Sequence, residues 1–119
     1  MKDFRSLKVW QKAHQLALAA YKITTRFPRE ELYGLSSQIR RSSSSIPTNL
    51  AEGCGRDGDA EFARFCSIAA GSANELEYQL LLARDLGLID AHVLAHLSDQ
   101  TVEIKRMLTG LLEKLRAES

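Results

Sequence analysis

The chain is poor in cysteine: Cys54 and Cys66 are its only two, with no Cys-x-x-Cys spacing. No disulfide framework can be drawn from that pair, and Cys66 falls where a small core residue belongs. Long apolar runs are missing as well. No stretch approaches the roughly eighteen residues of a spanning helix, and the opening Met-Lys-Asp-Phe-Arg lacks the apolar segment of a leader. A cytoplasmic, reduced protein is expected, with no membrane among its partners. Strand alternation, internal repeats and low-complexity tracts are absent too, apart from one run of four serines at 42–45. At 119 residues the chain reads as a single domain over 1–119.

Catalytic and metal constellations are equally scarce. Helical bundles that hold di-metal centres use Glu-x-x-His pairs, and none occurs here. His92 and His96, with Asp99 one turn on, lack a strong further ligand from elsewhere. The glycines at 53, 55 and 58 are not followed by the Lys-Ser/Thr of a phosphate loop. The serine run has no histidine near it in sequence. Glu75 and Glu77 point about 200° apart on a helix, and Arg40 and Arg41 about 100° apart, so neither pair forms one site. Glu75 is better read as an ion-pairing residue between helices. No catalytic residue, metal, cofactor or small-molecule substrate is expected, and the chain reads as non-enzymatic.

What is present is helical periodicity, four times over. Helix one is expected over about 6–27, with Val9, Ala13, Leu16, Ala20, Ile23 and Phe27 as its heptad stripe. A second stripe, Trp10, Ala17 and Tyr21 with Leu18 beyond, widens the apolar surface past what a helix in an isolated bundle needs. That width predicts another apolar contact, made with a second subunit. Helix two is expected over 28–53, with Pro28 in its first turn and Glu30 and Glu31 favourable to its dipole. Helix three is expected over 57–86, opened by Asp57, Asp59 and Glu61 through capping and charge, and closed by Gly87. Helix four is expected over 90–116, capped by Asp90, with Leu97, Thr101, Ile104, Leu108, Leu111 and Leu115 in its seam. Its tail beyond 116 should fray. Long helices joined by short turns predict an all-α, antiparallel up-down-up-down four-helix bundle.

The stretch 38–53 is the most specified. Leu35, Ile39, Ser42, Ile46, Asn49 and Gly53 make one seam, two of whose members are polar. Pro47 removes a donor inside the helix and should kink it there. Small serines let a neighbouring backbone approach, and Gly71-Ser72-Ala73 in helix three is expected opposite. Asn49 is expected to be a buried amide that fixes register.

Charge is balanced overall at +1 but unevenly placed. Residues 1–41 hold nine Lys/Arg against three Asp/Glu, and residues 42–119 hold seven against twelve. Lys8, Lys12, Lys22 and Arg26 fall within about 80° of one another on helix one and span about 27 Å of its axis. No acid lies between Arg5 and Arg29. Such a stripe could follow phosphates. Aromatic residues do not interleave with it, so backbone contact is expected rather than base readout. Repeated around a ring, weak contacts would add.

The strings Gln38-Ile-Arg-Arg41, Ser45-Ile-Pro-x-Asn-Leu-Ala-Glu-Gly53, Leu7-x-Val-Trp-Gln-Lys-Ala13, Phe27-Pro28, Glu31-Leu-Tyr-Gly-Leu35, Gly55-Arg56, Phe62 and Gly71-Ser-Ala-Asn-Glu-Leu-Glu77 carry a family resemblance. As a set they resemble the four-helix-bundle proteins named after 23S ribosomal RNA intervening sequences. Ser42, Ser43 and Ser44 depart from the small apolar residues of that family, which bears on how dry the seam is and not on the fold. The fold is similar to the accessory variability protein of diversity-generating retroelements. That likeness implies a homopentameric ring and a nucleic-acid or reverse-transcriptase partner, and it implies no enzymatic activity. The expected function is therefore a homo-oligomeric bundle that binds RNA or DNA, or a nucleic-acid-handling protein. Its nucleic-acid contacts would be Lys8, Lys12, Lys22 and Arg26. Its packing and assembly residues would be Trp10, Tyr21, Arg40, Arg41, Pro47, Asn49 and Glu52. The alternative is a structural or protein-interaction module that binds no nucleic acid.

Overall fold

The heptad stripes become four helices in the computed structural model, which describes residues 2–118. Helix α1 spans Lys8–Thr24, α2 Leu35–Cys54, α3 Asp59–Asp85 and α4 Ala91–Glu118. No strand occurs among the described residues, so the chain is all-α as its periodicity requires. Cross-helix pairs set the directions. Thr24 meets Arg40 at one end of the α1–α2 pair, and Lys2, just ahead of α1, meets Cys54 at the other. Between α2 and α3, Ser42 meets Gln79 and Ser45 meets Ser72. Those helices therefore run antiparallel. Each helix packs on its two neighbours in the order α1–α2–α3–α4–α1, and among the described residues no backbone of a diagonal pair comes within 8 Å Cα to Cα. The result is a square bundle about 46 Å long.

The seams fill its centre. Val9, Ala13, Leu16 and Ala20 of α1 meet Ile39, Ile46 and Leu50 of α2 in one core with Leu76 and Leu80 of α3 and Ile104 and Leu108 of α4. Two seam positions shift. Leu86, the last residue of the helix three expected over 57–86, is 58 % exposed because α3 has already ended, and Leu112 rather than Leu111 is the more buried leucine near the end of α4.

Polar atoms in the seam are all partnered. Ser42 Oγ donates to Gln79 Oε1 at 2.6 Å, and both side chains are buried. Ser43 Oγ and Ser44 Oγ donate to the Arg40 carbonyl, the back-bonding that lets serine sit inside a helix. Among the described residues no buried side-chain nitrogen or oxygen lacks a partner. The seam that departs from small apolar residues is therefore a hydrogen-bonded crossing.

The helix ends differ from the sequence expectation in instructive ways. Pro28 starts a single 3₁₀ turn, Arg29–Glu31, rather than a long helix. Gly34 then leaves helical geometry, and α2 begins at Leu35, whose N–H donates to Glu31 Oε1 at 3.2 Å. The acids expected in the first turn of helix two act from outside it. Helix one stops at Thr24, and Phe27 is buried from the turn that follows, where its N–H donates to the Thr24 carbonyl. Asp57 does not cap α3. Gly58, at φ +84°, occupies the cap position without a side-chain bond, while Asp59 and Glu61 do stand in the first turn. Asp90 caps α4 by accepting from the Val93 N–H at 2.8 Å. Gly87 closes α3 at φ +78°. Its own N–H reaches the Arg84 carbonyl, and the Leu88 N–H reaches the Ala83 carbonyl, the paired bonds of a Schellman motif. Helix α4 continues to Glu118, past the expected end, and Ser119 lies outside the described residues.

The serine-rich stretch holds as one helix. α2 runs unbroken through Pro47, which is buried. Gly71, expected at a close helix crossing, is exposed, and a Cβ built there meets nothing. The close approach is at Gly53 instead, where a Cβ would lie 2.8 Å from Phe65 Cβ and 3.1 Å from Phe62 Cδ1.

Candidate functional site

The second apolar stripe of α1 is covered in part: Ala17 is buried and Trp10 half-buried, while Leu18 and Tyr21 are exposed. An open groove of about 430 Å³ runs between α1 and α2. Trp10, His14, Ala17, Leu18 and Tyr21 supply the α1 wall, and Ser44, Pro47, Thr48 and Ala51 supply the α2 wall. The wall is built in layers. A short 3₁₀ turn, Phe4–Ser6, brings the Phe4 ring to 4.8 Å from Trp10, and Asp3 caps that turn by accepting from the Arg5 N–H. Trp10 in turn stacks on His14 at 5.1 Å with planes only 7° apart. At the far end the Arg40 guanidinium lies 5.1 Å from the Tyr21 ring centre and donates through Nε to Thr24 Oγ1 at 2.8 Å. Leu18 is 52 % exposed and Tyr21 44 %. An open apolar surface of this kind, walled by pre-stacked aromatics, is a candidate interaction site.

Other predicted assembly residues lie around it. Arg41, one position beyond Arg40, is exposed and has no acid partner among the described residues, whereas Arg40 is engaged by Tyr21 and Thr24. Glu52 is exposed and pairs along its own helix with Arg56 at 2.8 Å. Asn49 is half-buried rather than buried, because it sits at the rim of the α2–α3 crossing. Its Nδ2 donates to the carbonyl and to Oγ of Ser45, at 2.8 and 2.9 Å, and Ser45 Oγ carries the connection to Ser72 Oγ of α3 at 2.7 Å.

The basic face is less uniform than the sequence of one helix suggests. Lys8, Lys22 and Arg26 are exposed and have no acid partner among the described residues. Lys12 is bound to Glu103 of α4 at 2.6 Å. Arg26 stands beyond the end of α1, so the four cations do not form one helical stripe. Lys8 and Lys12 edge a cleft of about 380 Å³ between α1 and α4, with Gln11, Gln15, Gln100 and Glu103. The helix-bridging acid of α3 is Glu77, which accepts from Lys105 at 2.7 Å, whereas Glu75 makes no ion pair among the described residues. Glu77 faces α4 and Glu75 does not, a consequence of the angle between them.

The two cysteines are packed away, and His96 is hydrogen-bonded. Cys54 and Cys66 are both buried and free. Burial, aided by the neighbouring Cys54 sulfur, pushes the Cys66 thiol up to about 11, and burial also raises Cys54. Neither is a ready thiolate. His96 Nε2 shares a hydrogen bond with Gln100 at 3.1 Å, and among the described residues no three His, Cys, Asp or Glu side chains gather as a ligand group. No helix among them is long and apolar enough to cross a membrane.

Sequence reasoning missed three parts of this surface. The N-terminal turn carrying Phe4 has too few residues to show periodicity. Glu103 as the partner of Lys12 lies on a helix ninety residues away, and the seam pattern gives no rotation for its polar side. Pro47 was read for its effect on the helix backbone and not as a groove wall.

Comparison with known proteins agrees with this architecture. No curated protein matches the chain. Among solved structures it is similar to a protein of unknown function from the S23 ribosomal protein family of Bacteroides thetaiotaomicron VPI-5482. The two share 27 % identity and a TM-score of 0.79 over 87 % of this chain and 97 % of that one. The family model described as 23S rRNA-intervening sequence protein matches residues 5–110, a span that takes in the α1 and α2 walls of the groove and most of α4 but starts one residue after Phe4. With its four helices in place and that match across nearly all of its length, the chain belongs to the 23S rRNA-intervening sequence protein family.

Proposed function

We propose that this protein is a non-enzymatic scaffold that assembles with copies of itself through the α1/α2 groove. The observation that carries the reading is the groove itself: a pre-stacked aromatic wall with Leu18 and Tyr21 left half in solvent on a bundle whose core is already complete. Covering it removes apolar surface from water at about 25 cal/mol per Å². A homopentameric ring is the assembly that the family resemblance implies. Light scattering at micromolar concentration should give several times the 13.3 kDa of one chain. Leu18→Glu, which places a charge in the groove without touching the core, should reduce the mass to that of a monomer.

A second function is favoured by Lys8, Lys22 and Arg26, which are exposed and unpaired among the described residues. Repeated around an assembly, these cations would bind the backbone of RNA or DNA, or present it to a nucleic-acid-handling protein such as a reverse transcriptase. Lys12 contributes less, since it already neutralises Glu103. The test is RNA and DNA binding across a salt series. Lys8→Glu with Lys22→Glu should abolish it at every salt concentration and leave thermal stability nearly unchanged, because exposed charges add little to folding. Equal binding by both proteins, or none by the wild type at low salt, would leave a protein-interaction module.

A further inference from the structure

A second uncovered apolar surface lies across the bundle. On α3, Tyr78 is 61 % exposed and Leu81 45 %. They edge a shallow groove against Leu94 and Ser98 of α4. The square order of the helices fixes how the two surfaces are related. One lies on the α1–α2 edge and the other on the α3–α4 edge, and these edges are opposite because only neighbouring helices in the order α1–α2–α3–α4–α1 approach backbone to backbone.

Charge distinguishes them. Arg40 stands over Tyr21 at one end of the first groove, Arg41 precedes the groove residue Ser44 on α2 by one turn, and Lys22 lies one turn beyond Leu18; neither Lys22 nor Arg41 has an acid partner among the described residues. Glu75 lies one turn before Tyr78, exposed and equally unpaired. Pairing the first groove with itself, Tyr21 end to Tyr21 end, would bring these cations together across an apolar contact, which disfavours association, and in either orientation it would leave the Tyr78–Leu81 surface bare. Pairing it with the Tyr78–Leu81 surface sets cations against an acid and covers both exposed apolar surfaces at once.

We infer that the two surfaces are the halves of one head-to-tail interface, the α1/α2 groove of one copy receiving Tyr78 and Leu81 of the next. This rests on the proposed self-assembly and adds its partner surface. An interface between opposite edges is heterologous, so each added copy leaves one groove and one ridge unfilled until a ring closes. A groove-to-groove contact would stop at a symmetric dimer.

The test is a mixing experiment. Leu18→Glu blocks the groove and Tyr78→Glu blocks the ridge, and Leu81→Glu serves as a second ridge variant. All three positions are exposed, and circular dichroism identifies any variant that fails to fold. Each variant alone should scatter as a monomer. Equimolar Leu18→Glu and Tyr78→Glu should form a species of twice the chain mass and no larger, since one intact groove meets one intact ridge and both outer ends are blocked. Folded ridge variants that assemble like the wild type, or a mixture of folded variants that stays monomeric, would overturn the head-to-tail interface while leaving self-assembly standing. A wild type that is itself monomeric would overturn both.

Discussion

One methyl group has opposite consequences at two glycines of this chain. At Gly53 a Cβ would sit 2.8 Å from Phe65 Cβ, an atom tied directly to the α3 backbone, so the helices would have to separate. At Gly110, inside α4, a Cβ meets nothing within 4 Å. Gly53→Ala should therefore lower stability by about 1–3 kcal/mol through overpacking, less the gain in helix propensity. Gly110→Ala should raise it by up to about 1 kcal/mol. Urea unfolding of the two variants gives the comparison, and a Gly53→Ala protein as stable as the wild type would show that α2 and α3 can part without loss. The sequence contained both glycines but not this distinction. Gly71 looked the better candidate for a close crossing because it lies among small residues, yet it points to solvent. Which face a glycine occupies depends on helix rotation, and a residue without a side chain contributes nothing to the apolar pattern that reveals rotation.

At the scale of elements, the seams were legible and the ends were not. Five of the six stripe residues expected in helix one are buried, since a heptad stripe records the very face that burial selects. Helix two lost its first turns because Gly34 and the Glu31 side chain start α2 seven residues after Pro28, a choice that local preference alone does not make. The polar crossing between α2 and α3 was read as a single buried amide, and it is a chain: Asn49 to Ser45 to Ser72. Ser45 is its hub. Ser45→Ala should thus cost more than Asn49→Ala, which is expected to lose about 0.5–1.5 kcal/mol, because the serine hydroxyl serves both neighbours. Equal losses in urea unfolding would mean that the link to α3 contributes nothing.

The whole molecule carries two separate kinds of surface information. Its apolar excess on α1 was visible in sequence as a stripe too wide for one bundle, and the structure leaves that stripe as an open groove. Its basic face was visible only as one helix, so the acid that α4 brings to Lys12 could not be seen. The assembly reading is accordingly the better supported of the two functions, and nucleic-acid binding rests on the cations that remain unpaired. Light scattering of the wild-type chain at micromolar concentration tests self-assembly most directly. A mass several times 13.3 kDa is predicted, falling to one chain for Leu18→Glu. A wild type that scatters as a single chain at that concentration would contradict the account.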